Sequence, residues 1–330
     1  MRVPDTPVAL AKARRFVVLL VLALVVLAVA AYWHDRWSGG GGGRNVTGVF
    51  RGIPYTLYEP VGHSGEALPL VLALHGCSGS PRRFARSTRW NPLADREGFL
   101  VLYPQEIASH HEDLCWRWFS PSDQERGKGE PALFVGLIDH VAKQARVDRS
   151  RVYAVGLSSG GAMSTILGAC YPDVFAAVGV HSGEEFIRGM SRDEAKSVPG
   201  HGGPDPDRQG TAAHACAGDA AHPIPVLVLH GDDDTLARPI NGEQVFRQFA
   251  QTNDLADDGL DNDSIAVAQA RRTRIPGATM ETIWQGGKPL VRTLRIAKLG
   301  HDWSGSAADG TDHAPDATRL FWRFFAQHTR

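Results

Sequence analysis

The run Leu68-Pro-Leu-Val-Leu-Ala-Leu74 is apolar on both faces, so a strand made from it needs cover on each side. The same type of run recurs at 99–103, 152–155, 175–180 and 226–229. Helical patterns lie between and after these runs, predicted over 131–145, 159–170, 241–252 and 316–327. In the last of these, Leu320, Phe321, Phe324 and Phe325 share one stripe. Strands alternating with helices predict an α/β fold, with a mostly parallel sheet, right-handed crossovers and helices on both faces. An edge strand pair is expected over 49–58, with Gly52 and Pro54 as turn signals. Residues 47–330 then read as one catalytic-size domain.

Two stretches break the rhythm. Residues 183–222 are rich in Gly, Pro, Asp and His without a sustained period, and read as an insertion over one end of the sheet, a candidate lid. Residues 253–264 are acidic and read as a solvated loop. A calcium-loop match fails there, because Ala256 and Ile265 stand at ligand positions.

Residues 1–38 stand apart from this pattern. An uninterrupted apolar run at 16–33 follows Lys12, Arg14 and Arg15, and its length is near the ~17–20 residues that span a bilayer. The basic flank places the N-terminus inside and the rest outside. An uncleaved anchor is one reading; a signal peptide cut near Ala28-Val29-Ala30 is the other. Under the first, the membrane is a partner through this segment. Residues 39–46, with glycines at 39–43, read as a flexible spacer.

Either reading exports the domain, so Cys77, Cys115, Cys170 and Cys216 would meet an oxidising compartment. Spacing leaves all three pairings open. There is no Cys-x-x-Cys pair to point to a structural metal. Nucleic acid is not an expected partner. Lys and Arg number 35 against 36 Asp and Glu, and beyond the first twenty residues basic clusters are short, at Arg82-Arg83 and Arg271-Arg272-Thr273-Arg274.

Gly156-Leu157-Ser158-Ser159-Gly160 joins the expected strand at 152–155 to the helix at 159–170. Glycines on both sides permit a strained turn that lifts a serine hydroxyl clear of the sheet edge, as in α/β-hydrolases. The Ser159 N–H then opens a helix, where free donors favour an oxyanion. A second donor is expected from His75-Gly76-Cys77-Ser78-Gly79, with the Cys77 N–H the best placed and His75 in a structural hydrogen bond.

A serine hydroxyl needs a base, and the base needs an acid to orient it. The fold's chain order is Ser, acid, His. Carboxylates follow the run 226–229 in His230-Gly231-Asp232-Asp233-Asp234, where Asp234 is favoured over Asp232. Of His301, His313 and His328, His301 follows the apolar run 291–299 through Gly300 and is the expected base. Cys115-Trp116-Arg117-Trp118-Phe119 concentrates aromatics, so Trp116 and Trp118 are candidates for a cleft wall, as is Trp303; packing against the sheet edge is the rival reading for the first two.

Together these segments resemble the esterases of the polyhydroxybutyrate depolymerase family. The resemblance is carried by Leu74-His75-Gly76-Cys77, by the 115–119 motif and by residues 151–160. It continues through Tyr171-Pro172-Asp173-Val174-Phe175-Ala176-Ala177, His181-Ser182-Gly183, His230 to Asp234, and Gly300-His301-Asp302-Trp303. It implies Ser158, Asp234 and His301 as a triad in an extracellular or periplasmic ester hydrolase. It also implies a Cys77–Cys115 bridge, leaving Cys170 and Cys216 as a second pair. The expected substrate is a poly- or oligo-3-hydroxybutyrate ester; a feruloyl, acetylxylan or other small ester is the alternative. No separate polymer-binding domain is expected, nor any metal or organic cofactor. An inactive binding module would need a broken triad, and every member is present.

Overall fold

The computed structural model describes residues 40–63, 65–306 and 314–330. The apolar run at 16–33 and His313 lie outside the described residues. Among the described residues no helix is long and apolar enough to cross a membrane.

The apolar runs form the strands that their two-faced burial predicts. Along the chain these are β1 (Arg44–Phe50), β2 (Ile53–Glu59), β3 (Leu68–Leu74), β4 (Leu100–Pro104), β5 (Val147–Leu157), β6 (Ala177–His181) and β7 (Val226–Gly231). They are followed by β8 (Arg271–Ile275), β9 (Ala278–Gln285) and β10 (Lys288–Ile296). All join one sheet in the order β1-β2-β4-β3-β5-β6-β7-β10-β9-β8. The stretch from β4 to β10 is parallel, and antiparallel hairpins close both edges.

Helices α1 (Pro81–Thr88), α2 (Trp90–Glu97), α3 (Gly129–Val141) and α4 (Ser159–Cys170) alternate with the central strands. Then come α5 (Arg192–Ala195), α6 (Val198–His201), α7 (Pro206–Ala217), α8 (Ile240–Asp258) and α9 (Ala317–Phe325). Successive residues of β3 point to opposite layers, as the two-residue period requires. Leu70, Leu72 and Leu74 pack with α3, α4, α7 and α8, whereas Val71 and Ala73 pack with α1, α2 and α9. The result is a single α/β domain with a core on each side of the sheet.

Three of the stretches read from the sequence fold otherwise than expected. The spacer is shorter than expected: β1 takes in Arg44 to Val46, and Gly41 and Gly43 before it are packed rather than free. A Cβ on Gly41 would lie 2.0 Å from the Tyr58 hydroxyl, and one on Gly43 would lie 2.1 Å from the Glu59 carbonyl oxygen. The stretch 183–222 contains three helices, with α7 fastened to the end of α4 by the Cys170–Cys216 disulfide. The acidic stretch is not simply solvated. Asp254, 1% exposed, lies in α8 and accepts the N–H groups of Asn262, Asp263 and Ile265, folding the following turn around its carboxylate.

Candidate active site

Parallel strands deliver their C-terminal ends to one edge of the sheet, and Ser158 lies there, between β5 and α4. Its backbone holds φ 57° and ψ −124°, a region that L residues rarely enter and that costs about 1–3 kcal/mol. The glycines on either side are a steric requirement. A Cβ on Gly156 would fall 2.2 Å from the Gly160 backbone, and one on Gly160 would fall 2.3 Å from the Leu74 carbonyl oxygen. The turn is fixed by the Ser158 N–H donating to the His181 carbonyl at 3.0 Å, and α4 begins as Ala162 N–H donates to the Ser158 carbonyl. Ser159, the first residue of α4, therefore has its N–H ahead of the first intrahelical bond.

The loop after β3 packs directly on this turn. A Cβ at Gly76 would come within 3.2 Å of the Ser158 Cβ. Ser78 N–H donates to Asp113 O and Gly79 N–H to Gly76 O. Disulfide Cys77–Cys115 ties the loop to the Trp-rich segment. His75 is structural: its Nδ1–H donates to Gly76 O at 2.7 Å and its Nε2 accepts the Glu106 N–H at 3.3 Å. Burial lowers its pKa, which suits that uncharged role.

Asp234 and His301 come together from different strand ends. His301 Nδ1–H donates to Asp234 Oδ2 at 2.7 Å. The second carboxylate oxygen, Oδ1, accepts the N–H groups of Leu236 and Ala237 at 3.0 and 2.9 Å. Burial pushes the Asp234 pKa up, but hydrogen bonds from His230 and His301 and the Ala237 N–H outweigh it, leaving the group well below the carboxylate range. For His301, burial pulls the pKa down, yet the hydrogen bond and charge of Asp234 leave it raised. Asp232, the other candidate acid, points elsewhere: it pairs with Arg295 at 2.9 Å on the surface. His328 is buried against Phe324, away from this edge.

Ser158 and His301 share a cavity of about 660 Å³ whose wall also includes Cys77, Phe84, Glu184, Leu236 and Trp303. Trp303 lines it as expected; Trp116 and Trp118 do not. Trp116 is 0% exposed, packs at a tilt against the His75 ring and donates from Nε1 to the His75 carbonyl, so its indole braces the loop from behind. Trp118 is buried in the core that packs α3 and α4. The aromatic cluster pointed to the right neighbourhood, but its rings serve the scaffold. Glu184, Arg83, Phe84, Pro199, Leu236 and Ala237 reach the cavity from segments in which no motif marks them.

Glu106, His110 and Glu130 offer donor atoms within 4.8 Å of one another. The Glu130 oxygens are already engaged by the Arg117 N–H and its side chain, and Glu106 Oε1 by the Ile107 N–H. This cluster lies under the loop that carries His75 and outside the cavity, which suits a supporting role.

The family described as Esterase PHB depolymerase matches residues 53–272. The chain is 29% identical over 248 residues to poly(3-hydroxyalkanoate) depolymerase C of Paucimonas lemoignei, covering 74% of this chain and 57% of that protein. It is 33% identical over 190 residues to feruloyl esterase B of Thermothelomyces thermophilus, covering 55% of this chain and 64% of that one. The chain thus spans less than two thirds of either relative. Among solved structures, an acetyl xylan esterase from Aspergillus awamori superposes with a TM-score of 0.66 at 20% identity, covering 87% of this chain and 99% of the other. That likeness bears on the fold, an α/β-hydrolase. With two thirds of its length matched by the family, the chain belongs to the PHB depolymerase esterases.

Proposed function

We propose that this protein is an extracytoplasmic serine esterase that hydrolyses oligoesters of 3-hydroxybutyrate type through an acyl-enzyme. The observation that carries the reading is the 2.7 Å hydrogen bond from His301 to Asp234 at the wall of the cavity that Ser158 also lines. His301 takes the Ser158 proton as the hydroxyl oxygen attacks the ester carbonyl, and Asp234 fixes the imidazole tautomer that leaves Nε2 free to accept. The N–H groups of Cys77 and Ser159 stabilise the oxyanion. The protonated imidazole then returns its proton to the departing alkoxide, and an acyl-Ser158 ester remains. Water repeats the sequence: His301 deprotonates it, the acyl carbon is attacked, and the acid leaves with Ser158 restored.

Export is supported by two disulfides, which persist in oxidising compartments, and by the apolar run at 16–33. The likeness to poly(3-hydroxyalkanoate) depolymerase C supports this substrate class. A small aromatic or acetyl ester is the second reading, favoured by the 33% identity to feruloyl esterase B. Ser158→Ala is expected to abolish hydrolysis of a short-chain nitrophenyl ester while the circular dichroism spectrum is retained. Turnover persisting in that variant would overturn the mechanism. Comparing hydroxybutyrate oligomers with feruloyl and acetyl esters as substrates separates the two readings.

A further inference from the structure

We propose that Glu184 forms a polar subsite beside the scissile bond, donating a hydrogen bond to an uncharged acceptor oxygen such as the neighbouring ester carbonyl of an oligoester. This deepens the oligoester reading above and rests on it. Glu184 lies three positions after His181, at the C-terminal end of β6, and lines the cavity with Ser158 and His301. Its residue is only 3% exposed, and its Oε2 is buried without a hydrogen-bond partner among the described residues. A carboxyl buried this deeply with an oxygen lacking a partner is costly to ionise, and its place on the cavity wall lets the same neutral group meet what enters the cavity.

The surroundings decide which chemistry this is. Pro199, Leu236 and Ala237 make an apolar wall in the same cavity. The ionisable groups that bear on Glu184 are His301, which favours its charge, and Asp234, which opposes it; Asp302 and Arg83 also line the cavity. Burial is the largest influence and pushes its pKa up to about 8. At neutral pH the group is therefore a carboxylic acid, with one O–H to give and no charge to offer a cation. A carboxyl kept neutral in an apolar site is a hydrogen-bond donor. An oligoester presents a carbonyl one unit away from the bond that is cut, whereas a simple nitrophenyl ester has none there. The subsite thus distinguishes the two by one neutral hydrogen bond, worth roughly threefold to tenfold in kcat/KM.

The experiment measures kcat/KM for a 3-hydroxybutyrate trimer and for nitrophenyl butyrate, and follows their ratio. In Glu184→Ala the trimer-to-butyrate ratio is expected to fall about threefold to tenfold. Glu184→Gln keeps a neutral donor and is expected to keep the ratio, with melting temperatures showing that both variants fold. In the wild type the ratio is expected to drop as pH rises through about 8 and to stay flat in Glu184→Gln. His301 titrates during both reactions and cancels from the ratio. An unchanged ratio in Glu184→Ala, or a trimer that is not cleaved while the butyrate ester is, would overturn the subsite and leave the esterase reading standing. Failure to cleave either ester would overturn both.

Discussion

His181 and Trp303 stack with ring centroids 5.1 Å apart and planes 26° from parallel, clamping the loop that carries His301 onto the end of β6. The same imidazole accepts the Ser304 N–H through Nε2 at 3.1 Å, and the His181 carbonyl accepts the Ser158 N–H. One residue therefore holds both halves of the proposed nucleophile–base pair. Burial first, then the neighbouring His230 and His301, lower its pKa to about 3, so it remains an uncharged acceptor under any practical assay. His181→Ala is expected to lower kcat on a nitrophenyl ester by about tenfold to a hundredfold through misplacement of His301. Because His181 does not itself titrate near neutrality, the acid limb of the pH profile should stay where it is. A limb that moves with this substitution would show that His181 takes part in the proton chemistry.

Asp234 acts on that limb directly. The base must be neutral to accept a proton, and Asp234 raises the His301 pKa. Activity should therefore rise with pH through a value above the ordinary histidine value of about 6.5. Asp234→Asn removes the charge and the tautomer preference, so kcat should fall about a thousandfold to ten-thousandfold. The residual activity should show its acid limb at lower pH than the wild type. Nitrophenyl ester kinetics between mild acid and neutral pH measure both effects.

What could be read ahead of the structure was what repeats or what sterics force. The glycines at 156 and 160 were legible because only a residue without Cβ fits 2.2–2.3 Å from another backbone. The β3 run was legible because all seven of its residues are buried. Strands β8 and β9 escaped notice. The exposed Arg271, Arg272 and Arg274 of β8 gain sheet pairing from β9, which in turn pairs with β10, rather than from burial, and a pattern of hydrophobicity does not register that. Trp116 misled for a related reason. A large ring beside a catalytic loop can face the cavity or the core, and its Nε1 bond to the His75 carbonyl decides for the core. Glu184 carried no sequence signal, since its meaning depends on burial at a cavity wall.

The two disulfides should separate stability from catalysis. They close segments with sequence separations of 38 and 46 residues. On the chain-entropy account each contributes about 4 kcal/mol. Replacing Cys170 and Cys216 by Ala frees α7 from α4, and is expected to lower the melting temperature with little change in kcat. The Cys77 and Cys115 pair is different, because Cys77 carries one of the proposed oxyanion donors. Their replacement should lower the melting temperature and also cost about tenfold to a hundredfold in kcat, since a displaced donor loses part of its transition-state interaction. Equal catalytic losses in the two double variants would refute the distinction.

Glu185 gives a test of the buried charge pattern that does not involve the cavity. Its residue is 2% exposed, and neither carboxylate oxygen has a hydrogen-bond partner among the described residues. Burial, then the negative charge of Asp205, raises its pKa to about 8, against the opposing effect of Arg247. The unfolded chain releases this proton near pH 4.3. Between those values the native state holds a proton that the unfolded state has lost, so this group's contribution is complete below about pH 4.3 and is lost as pH rises through about 8. Glu185→Gln stays neutral in both states and removes the dependence. The stability of the variant relative to the wild type should therefore climb by up to about 1.4 kcal/mol per pH unit across that window and level off above it. Urea unfolding of both proteins at several pH values reads the difference directly, and titrations common to both cancel. Parallel stability curves would mean that Glu185 ionises normally in the folded protein, with water or a moved Arg247 supplying the compensation that these contacts do not.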